Sequence, residues 1–111
     1  MRVVLAIFIA LFINTAFADS LVRGGVIKEI RLVTGDFQLT VSGFDSCSSS
    51  CLNTNNNFCY VHFNKNDGSV DLDDYKVFVA MSIAAFSSNT TIGNAEGNGT
   101  NCLMNYIYFK K

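Results

Sequence analysis

Residues 71–88, Asp-Leu-Asp-Asp-Tyr-Lys-Val-Phe-Val-Ala-Met-Ser-Ile-Ala-Ala-Phe-Ser-Ser, decide the fold, because they form the one long helix-like stretch of residues 19–111. Asp71 is a suitable N-cap residue. Asp73 and Asp74 would lie in the first turn, where carboxylates meet free backbone N–H groups and the positive end of the helix dipole. The pattern therefore predicts a helix that begins after Asp71 and ends at Ser88. Segments typical of β-strands lie on both sides of it.

Apolar residues surround much of this predicted helix. One stripe recurs every three or four residues and is expected to face the core; it consists of Leu72, Tyr75, Val79, Ile83 and Phe86. Other sides of the helix are apolar as well, through Val77, Phe78, Ala80, Met81, Ala84 and Ala85. Two interpretations are open. Either the helix is deeply buried, or a second face that includes Phe78 and Met81 packs on neighbouring subunits.

The chain begins with the parts of a secretory signal peptide. Arg2 is followed by an uncharged run over residues 3–13 and by Ala16-Phe17-Ala18. The run is shorter than the ~20 residues that a membrane-spanning helix needs. We therefore expect residues 1–18 to be a cleaved signal peptide and residues 19–111 to form one secreted or periplasmic domain without a membrane span.

Four cysteines, Cys47, Cys51, Cys59 and Cys102, lie in the predicted mature chain. A domain of this size buries a modest share of its surface, and small exported domains are commonly stapled by disulfides. The spacing contains no Cys-x-x-Cys pair and the chain has one histidine, so a zinc site is not expected. We expect two disulfides, no metal and no other cofactor.

Charge argues against nucleic acid as a partner. The chain carries 8 Lys and Arg residues against 9 Asp and Glu residues. Cleavage after Ala18 would remove Arg2 and leave a formal charge of −2. No basic stripe is present that would neutralise phosphates, so nucleic-acid binding is not expected.

Three strands are predicted before the helix. The first covers residues 26–34 and the second residues 37–42, joined by a type II′ turn at Gly35-Asp36. A polar loop over residues 43–57 leads to a third strand at residues 58–63. A loop of this composition has too few apolar residues to form a core of its own, so we expect a disulfide to hold it in place.

Two strands are predicted after the helix. Residues 89–92 form a short one, and residues 102–109 form the last, with a polar loop over residues 93–101 between them. Met104, Tyr106 and Tyr108 share one face of the last strand, and this face is expected to be covered by loops or by a partner. The order β-β-β-α-β-β predicts a mainly β domain with one helix, a five-stranded OB-fold-like Greek-key barrel.

The predicted barrel favours one disulfide pattern. The third and fifth strands of such a barrel run parallel as neighbours, and Cys59 and Cys102 occupy their starts. A Cys59–Cys102 bridge is therefore favoured, with Cys47–Cys51 as a loop clip. The other two pairings remain open, and the nearest rival contains a Cys51–Cys102 bridge.

A family resemblance follows from the second half of the chain. The helix, Asn-Thr-Thr-Ile at residues 89–92, a glycine-rich loop, Gly-Thr-Asn-Cys at residues 99–102 and Asn-Tyr-Ile-Tyr at residues 105–108 resemble small exported bacterial proteins. Those proteins look like the receptor-binding B subunits of AB5 toxins. The resemblance implies an OB-fold, a homopentamer and a toxic A subunit as partner. It assigns no receptor-binding residue to a position of this chain.

The sequence predicts a binding module rather than an enzyme. No nucleophile and base surround His62, which we interpret as a strand-face histidine. The favoured bridge would bring the loops at residues 46–57 and 93–101 to one edge, where Asn57, Asn94, Glu96 and Asn98 offer hydrogen bonds to a sugar. We expect a glycan or protein surface as receptor. The alternative is a monomeric, stapled envelope protein with a structural or inhibitory role, acting through Met104, Tyr106 and Tyr108.

Overall fold

A computed structural model describes residues 19–66 and 71–111; the predicted signal peptide and residues 67–70 lie outside the described residues. The described part contains six strands and one helix. These are β1 Asp19–Val33, β2 Asp36–Cys47, β3 Leu52–Asn53, β4 Phe58–Asn64, α1 Leu72–Ser88, β5 Thr91–Asn98 and β6 Leu103–Lys110. Apart from the two-residue β3, the order is β-β-β-α-β-β, which confirms the prediction.

Five of the strands close into a barrel of the OB-fold type. The hydrogen-bonded order is β2-β1-β5-β6-β4, and a further β2–β4 pairing closes the ring. The β4 and β6 strands run parallel, with His62 level with Leu103, whereas the other pairs are antiparallel. The short β3 pairs with β4 as an additional strand. The fold class predicted from the sequence is therefore confirmed.

The core follows from alternation along the strands. Phe37, Leu39 and Val41 of β2 are buried, and Val61 and Phe63 of β4 face them. The α1 helix covers one end of the barrel. There the Phe78 ring stacks on Phe63 with ring centroids 4.6 Å apart.

The start of α1 agrees with the sequence prediction. An Asp71 carboxylate oxygen accepts a hydrogen bond from the backbone N–H of Asp74 at 2.9 Å. The helix runs for 17 residues to Ser88. Its C-cap residue is Asn89, which adopts a left-handed conformation with φ 54°. The predicted N-cap and the predicted helix end are both confirmed.

The buried side of α1 differs from the predicted stripe. Tyr75, Ser82 and Ala85 are buried, whereas Leu72, Ile83 and Phe86 are large apolar residues left exposed. The interpretation of a deeply buried helix is wrong, because the barrel covers one side of the helix only. Within the described residues, the buried hydroxyl of Ser82 has no hydrogen-bond partner.

The first hairpin is longer than predicted and turns one residue earlier. The β1 strand begins at Asp19 because Gly24 and Gly25, both with positive φ, allow the register to shift between Arg23 and Gly24 without ending the strand. Thr34 and Gly35 form the two-residue turn with φ of 35° and 81°. Positive φ at both positions is typical of a type I′ turn, so the predicted type II′ turn at Gly35-Asp36 is wrong.

The segment predicted as a polar loop after α1 is mostly strand. The β5 strand extends through residues 93–98 and pairs with both β1 and β6. Its glycines weaken the strand pattern in the sequence, but the packing of β5 on β6 requires a glycine at position 97. A side chain there would collide with the backbone of Leu103, so glycine permits the close approach of β6.

The disulfides join Cys47 to Cys59 and Cys51 to Cys102, with Cα–Cα separations of 6.0 and 5.7 Å. The favoured Cys59–Cys102 pairing is wrong because the parallel β4–β6 register sets His62 level with Leu103, which places Cys102 two residues beyond Cys59 along β4. Two strand residues span ~7 Å along the strand, and the neighbouring strand is ~4.8 Å away, so the two Cα atoms are too far apart for a disulfide. The nearest rival pairing is the one observed.

Two disulfides in so small a chain indicate an oxidising environment, such as the periplasm or the outside of the cell. Within residues 19–66 and 71–111, no helix combines the length and the apolar character needed to cross a membrane.

Candidate functional site

An open cavity of about 570 Å³ lies on the outer side of β2 and β4, between the loop at residues 48–54 and the β5–β6 hairpin. We call it the His62 pocket. Its polar side is formed mainly by Asp36, Gln38, Asn53, Tyr60, His62 and Asn101, and its remaining lining residues include Leu52 and the Cys51–Cys102 disulfide.

Strand register places the polar groups of the pocket side by side. In the antiparallel β2–β4 pair, Gln38 is level with His62 and Thr40 is level with Tyr60. Alternate residues share a face of a strand, so Asp36 joins Gln38 on the same side. Because Phe37, Leu39 and Val41 fill the core, Asp36 and Gln38 lie on the other side of β2, where they line the pocket.

A hydrogen-bond network orders the pocket. The His62 Nδ1 atom lies 2.6 Å from Asp36 Oδ1, and its Nε2 atom lies 2.9 Å from the Asn101 carbonyl oxygen. Gln38 donates from Nε2 to Asp36 Oδ2 at 2.9 Å. A carbonyl and a carboxylate are both acceptors, so each ring nitrogen of His62 already has a partner. The ring therefore joins β2, β4 and the β5–β6 hairpin.

The far wall of the pocket is held by covalent and polar contacts. The Cys51–Cys102 disulfide joins the loop at residues 48–54 to the hairpin. Ser50 Oγ donates to the Gly99 carbonyl oxygen nearby, and Tyr60 donates its backbone N–H to the Cys51 carbonyl at 2.9 Å. The loop at residues 48–54 therefore meets the turn of the β5–β6 hairpin at one edge, and the Cys51–Cys102 disulfide joins them in place of the predicted Cys59–Cys102 bridge.

Tyr60 provides an exposed aromatic ring in the pocket lining. The residue is 39% exposed, and its hydroxyl accepts a hydrogen bond from Asn56 Nδ2 at 3.1 Å. This contact limits the positions that the ring can adopt. The pocket therefore presents an apolar ring face beside fixed polar groups.

The four predicted ligand residues do not line the His62 pocket. Asn57 is exposed in the turn before β4, with φ 57°. Asn94 and Glu96 lie on β5, where the Asn94 amide donates to the Glu96 carboxylate at 2.8 Å and accepts from Ser20 Oγ at 2.9 Å. Asn98 ends β5 and accepts from the backbone N–H of Thr100. The structure thus brings Asn94 and Glu96 together and leaves Asn57 apart from them.

The predicted apolar interface on β6 needs a correction. Met104 is fully buried, so it does not share an outer face with Tyr106 and Tyr108. The register passes from Glu96–Tyr106 to Gly97–Met104, which leaves Asn105 as an extra residue in a β-bulge. A shift of one residue turns a side chain to the opposite face. Tyr106 and Tyr108 remain exposed, with ring centroids 6.0 Å apart.

Of the two predicted interface residues on α1, Phe78 faces the core and Met81 faces outward. Met81 belongs to an exposed stripe at helical spacing, which consists of Val77, Ala80, Met81 and Ala84. We call these four residues the outer helix stripe. An apolar stripe of this kind on an exposed helix face is typical of an interaction surface.

Sequence reasoning missed most of the pocket. The sequence places Asp36 in a predicted turn and His62 on the face of a predicted strand, and it does not single out Gln38. The available signal was that Gln38 and Thr40 alternate with apolar residues on one strand, as Tyr60 and His62 do on another. It needed the β2–β4 register, which the sequence alone does not specify.

Among the residues that the structure describes, no group of three or more His, Cys, Asp or Glu side chains is placed to hold a metal ion. Neither protein-family models, nor curated proteins, nor solved structures provide a match to this chain.

Proposed function

We propose that this protein is an exported, non-catalytic binding module that recognises a glycan in the His62 pocket. The observation that carries the proposal is the combination of an exposed Tyr60 ring with the fixed polar side chains of Asp36, Gln38 and His62 in one open cavity. Concave sites with an aromatic wall and a few oriented polar groups are typical of small-ligand binding.

Pocket chemistry supports a sugar as ligand. A pyranose has an apolar C–H face, which packs on an aromatic ring, and hydroxyl groups around its edge, which form hydrogen bonds with carboxylates and amides. Tyr60 supplies the ring, and Asp36, Gln38 and Asn53 supply the polar partners. Because the disulfide and the His62 contacts already hold the walls, little conformational freedom would be lost on binding.

The position of His62 supports a binding role rather than catalysis. A His–Asp pair occurs in hydrolytic triads, where the second ring nitrogen accepts the proton of a nucleophile. Here that nitrogen is occupied by the Asn101 carbonyl oxygen at 2.9 Å. The ring is therefore committed to holding the hairpin, and it has no nitrogen free to act as a base.

The experiment is a glycan array probed with the oxidised protein and with two tyrosine variants. Tyr60→Ala should weaken binding at least roughly tenfold, which is the loss expected when an aromatic contact of about 1.4 kcal/mol is removed. Tyr106→Ala is the matched control, since Tyr106 is an exposed strand tyrosine outside the pocket. An array that stays blank across neutral and sialylated sugars would contradict the proposal.

The proposal includes assembly into a ring. The exposed outer helix stripe offers an apolar surface for neighbouring copies, in keeping with the resemblance to pentameric toxin B subunits, which would add a toxic A subunit as partner.

The second candidate is a monomeric envelope protein that acts through Tyr106 and Tyr108. What favours it is the exposure of these two neighbouring rings. Binding that Tyr106→Ala removes and Tyr60→Ala preserves would support this second candidate.

A further inference from the structure

We infer that the His62 pocket takes an uncharged sugar and discriminates against sugars that carry a carboxylate, sulfate or phosphate. The inference rests on the proposed function, because it assumes that the pocket binds a glycan. It adds the chemical class of the ligand, which follows from the charges and from the hydrogen-bonding capacity of the pocket lining.

The pocket lining contains no cationic side chain that is free to pair with an anion. The lining contains the Asp36 carboxylate and no lysine or arginine. The lining also contains the His62 imidazole, but both of its ring nitrogens already contact Asp36 and Asn101. An acidic sugar would therefore lose its hydration without gaining a charged partner, and it would approach the Asp36 carboxylate.

Hydrogen-bonding capacity points in the same direction. Gln38 donates one Nε2 hydrogen to Asp36, which leaves its second N–H as a donor and its Oε1 atom as an acceptor. Each Asp36 oxygen accepts one hydrogen bond and has capacity for another. Asn53 accepts from the backbone N–H of Asn55 with Oδ1, which leaves its amide N–H groups as donors. The pocket therefore offers acceptors as well as donors. This combination matches hydroxyl groups, which both donate and accept, better than oxyanions, which only accept.

The test compares two oligosaccharides that differ only in a terminal sialic acid, with binding to the oxidised protein measured by isothermal titration calorimetry. We expect the neutral member to bind at least about tenfold more tightly, a difference that corresponds to one close unfavourable charge contact. Asp36→Asn removes the carboxylate and should narrow this preference. Asp45→Asn is the matched control, since Asp45 is an exposed β2 carboxylate outside the pocket lining, and it should preserve the preference.

A second variant keeps the test decisive if Asp36→Asn fails to fold. Gln38→Lys places a cation beside the pocket and should strengthen binding of the sialylated member. The inference would be overturned if the unmodified protein bound the sialylated member equally or more tightly and Tyr60→Ala lost this binding. The proposed glycan function would then still stand. Binding of neither member, together with a blank array, would overturn the proposed function and the inference with it.

Discussion

Tyr75, in the first turns of α1, shows how burial changes the chemistry of a single residue. Its side chain is buried at the covered end of the barrel. Burial raises the pKa of its hydroxyl above the ordinary value of 10.0, and the Asp36 carboxylate raises it further. The neutral phenol is favoured because water no longer stabilises the phenolate, and because a second negative charge near Asp36 is unfavourable.

This pKa shift predicts a loss of stability at alkaline pH. Tyr75 keeps its proton in the folded chain at pH values where the unfolded chain has lost it, so its contribution to the free energy of unfolding is constant below pH 10.0 and falls above it. Urea titrations from pH 8 to pH 11 should show a shallower fall for Tyr75→Phe. The exposed Tyr106→Phe serves as control; a fall in Tyr75→Phe as steep as in the unmodified protein would contradict the assignment.

The α1 helix packs on its own barrel with one side and still presents an apolar surface on the opposite side. Its core side is narrow, with Tyr75, Ser82 and Ala85 buried. The outer helix stripe lies on the opposite side at spacings of three and four residues and stays exposed. A helix that only capped a barrel would gain solubility from polar residues there. The stripe is the reason for proposing an assembly.

A charge in the outer helix stripe should disrupt this assembly. Light scattering on oxidised protein comprising residues 19–111 is expected to give about five times the mass of one chain, as the proposed five-membered ring requires. Val77→Glu should reduce the mass toward that of a single chain, because a buried unpaired carboxylate is strongly unfavourable. Lys76→Glu, on the same helix and outside the stripe, should leave it unchanged. A single-chain mass for the unmodified protein would favour the monomeric alternative.

At the scale of the whole molecule, the two disulfides have different tasks. The Cys47–Cys59 bridge spans 12 residues and joins β2 to β4, which are already paired. The Cys51–Cys102 bridge spans 51 residues and joins the loop before β4 to the last hairpin. The longer closure restricts the unfolded chain more, and it also holds the wall of the His62 pocket.

This difference predicts an order of stability losses. Chain entropy suggests about 4 kcal/mol for the Cys51–Cys102 closure and about 3 kcal/mol for the Cys47–Cys59 closure. In denaturant titrations the Cys51→Ala/Cys102→Ala variant should therefore unfold at the lower midpoint. It should also bind glycan more weakly under conditions where both double variants remain folded. A lower midpoint for the Cys47→Ala/Cys59→Ala variant would contradict the ranking.

The amino-acid sequence by itself determined those features of this protein that depend on neighbouring residues. The Asp71 cap and the limits of α1 are local patterns, and both were predicted correctly. The order of elements then restricted the fold to a small barrel, because few architectures accommodate a helix between the third and fourth strands of a five-stranded chain.

Only the tertiary structure decided how distant residues meet. The β4–β6 register sets His62 level with Leu103, which keeps Cys102 away from Cys59 and leaves it to pair with Cys51. A one-residue bulge at Asn105 turns Met104 into the core. The β2–β4 register brings Asp36 to His62. Register depends on packing across the whole barrel, and a shift of one residue reverses every side chain on a strand, so no local pattern contains it.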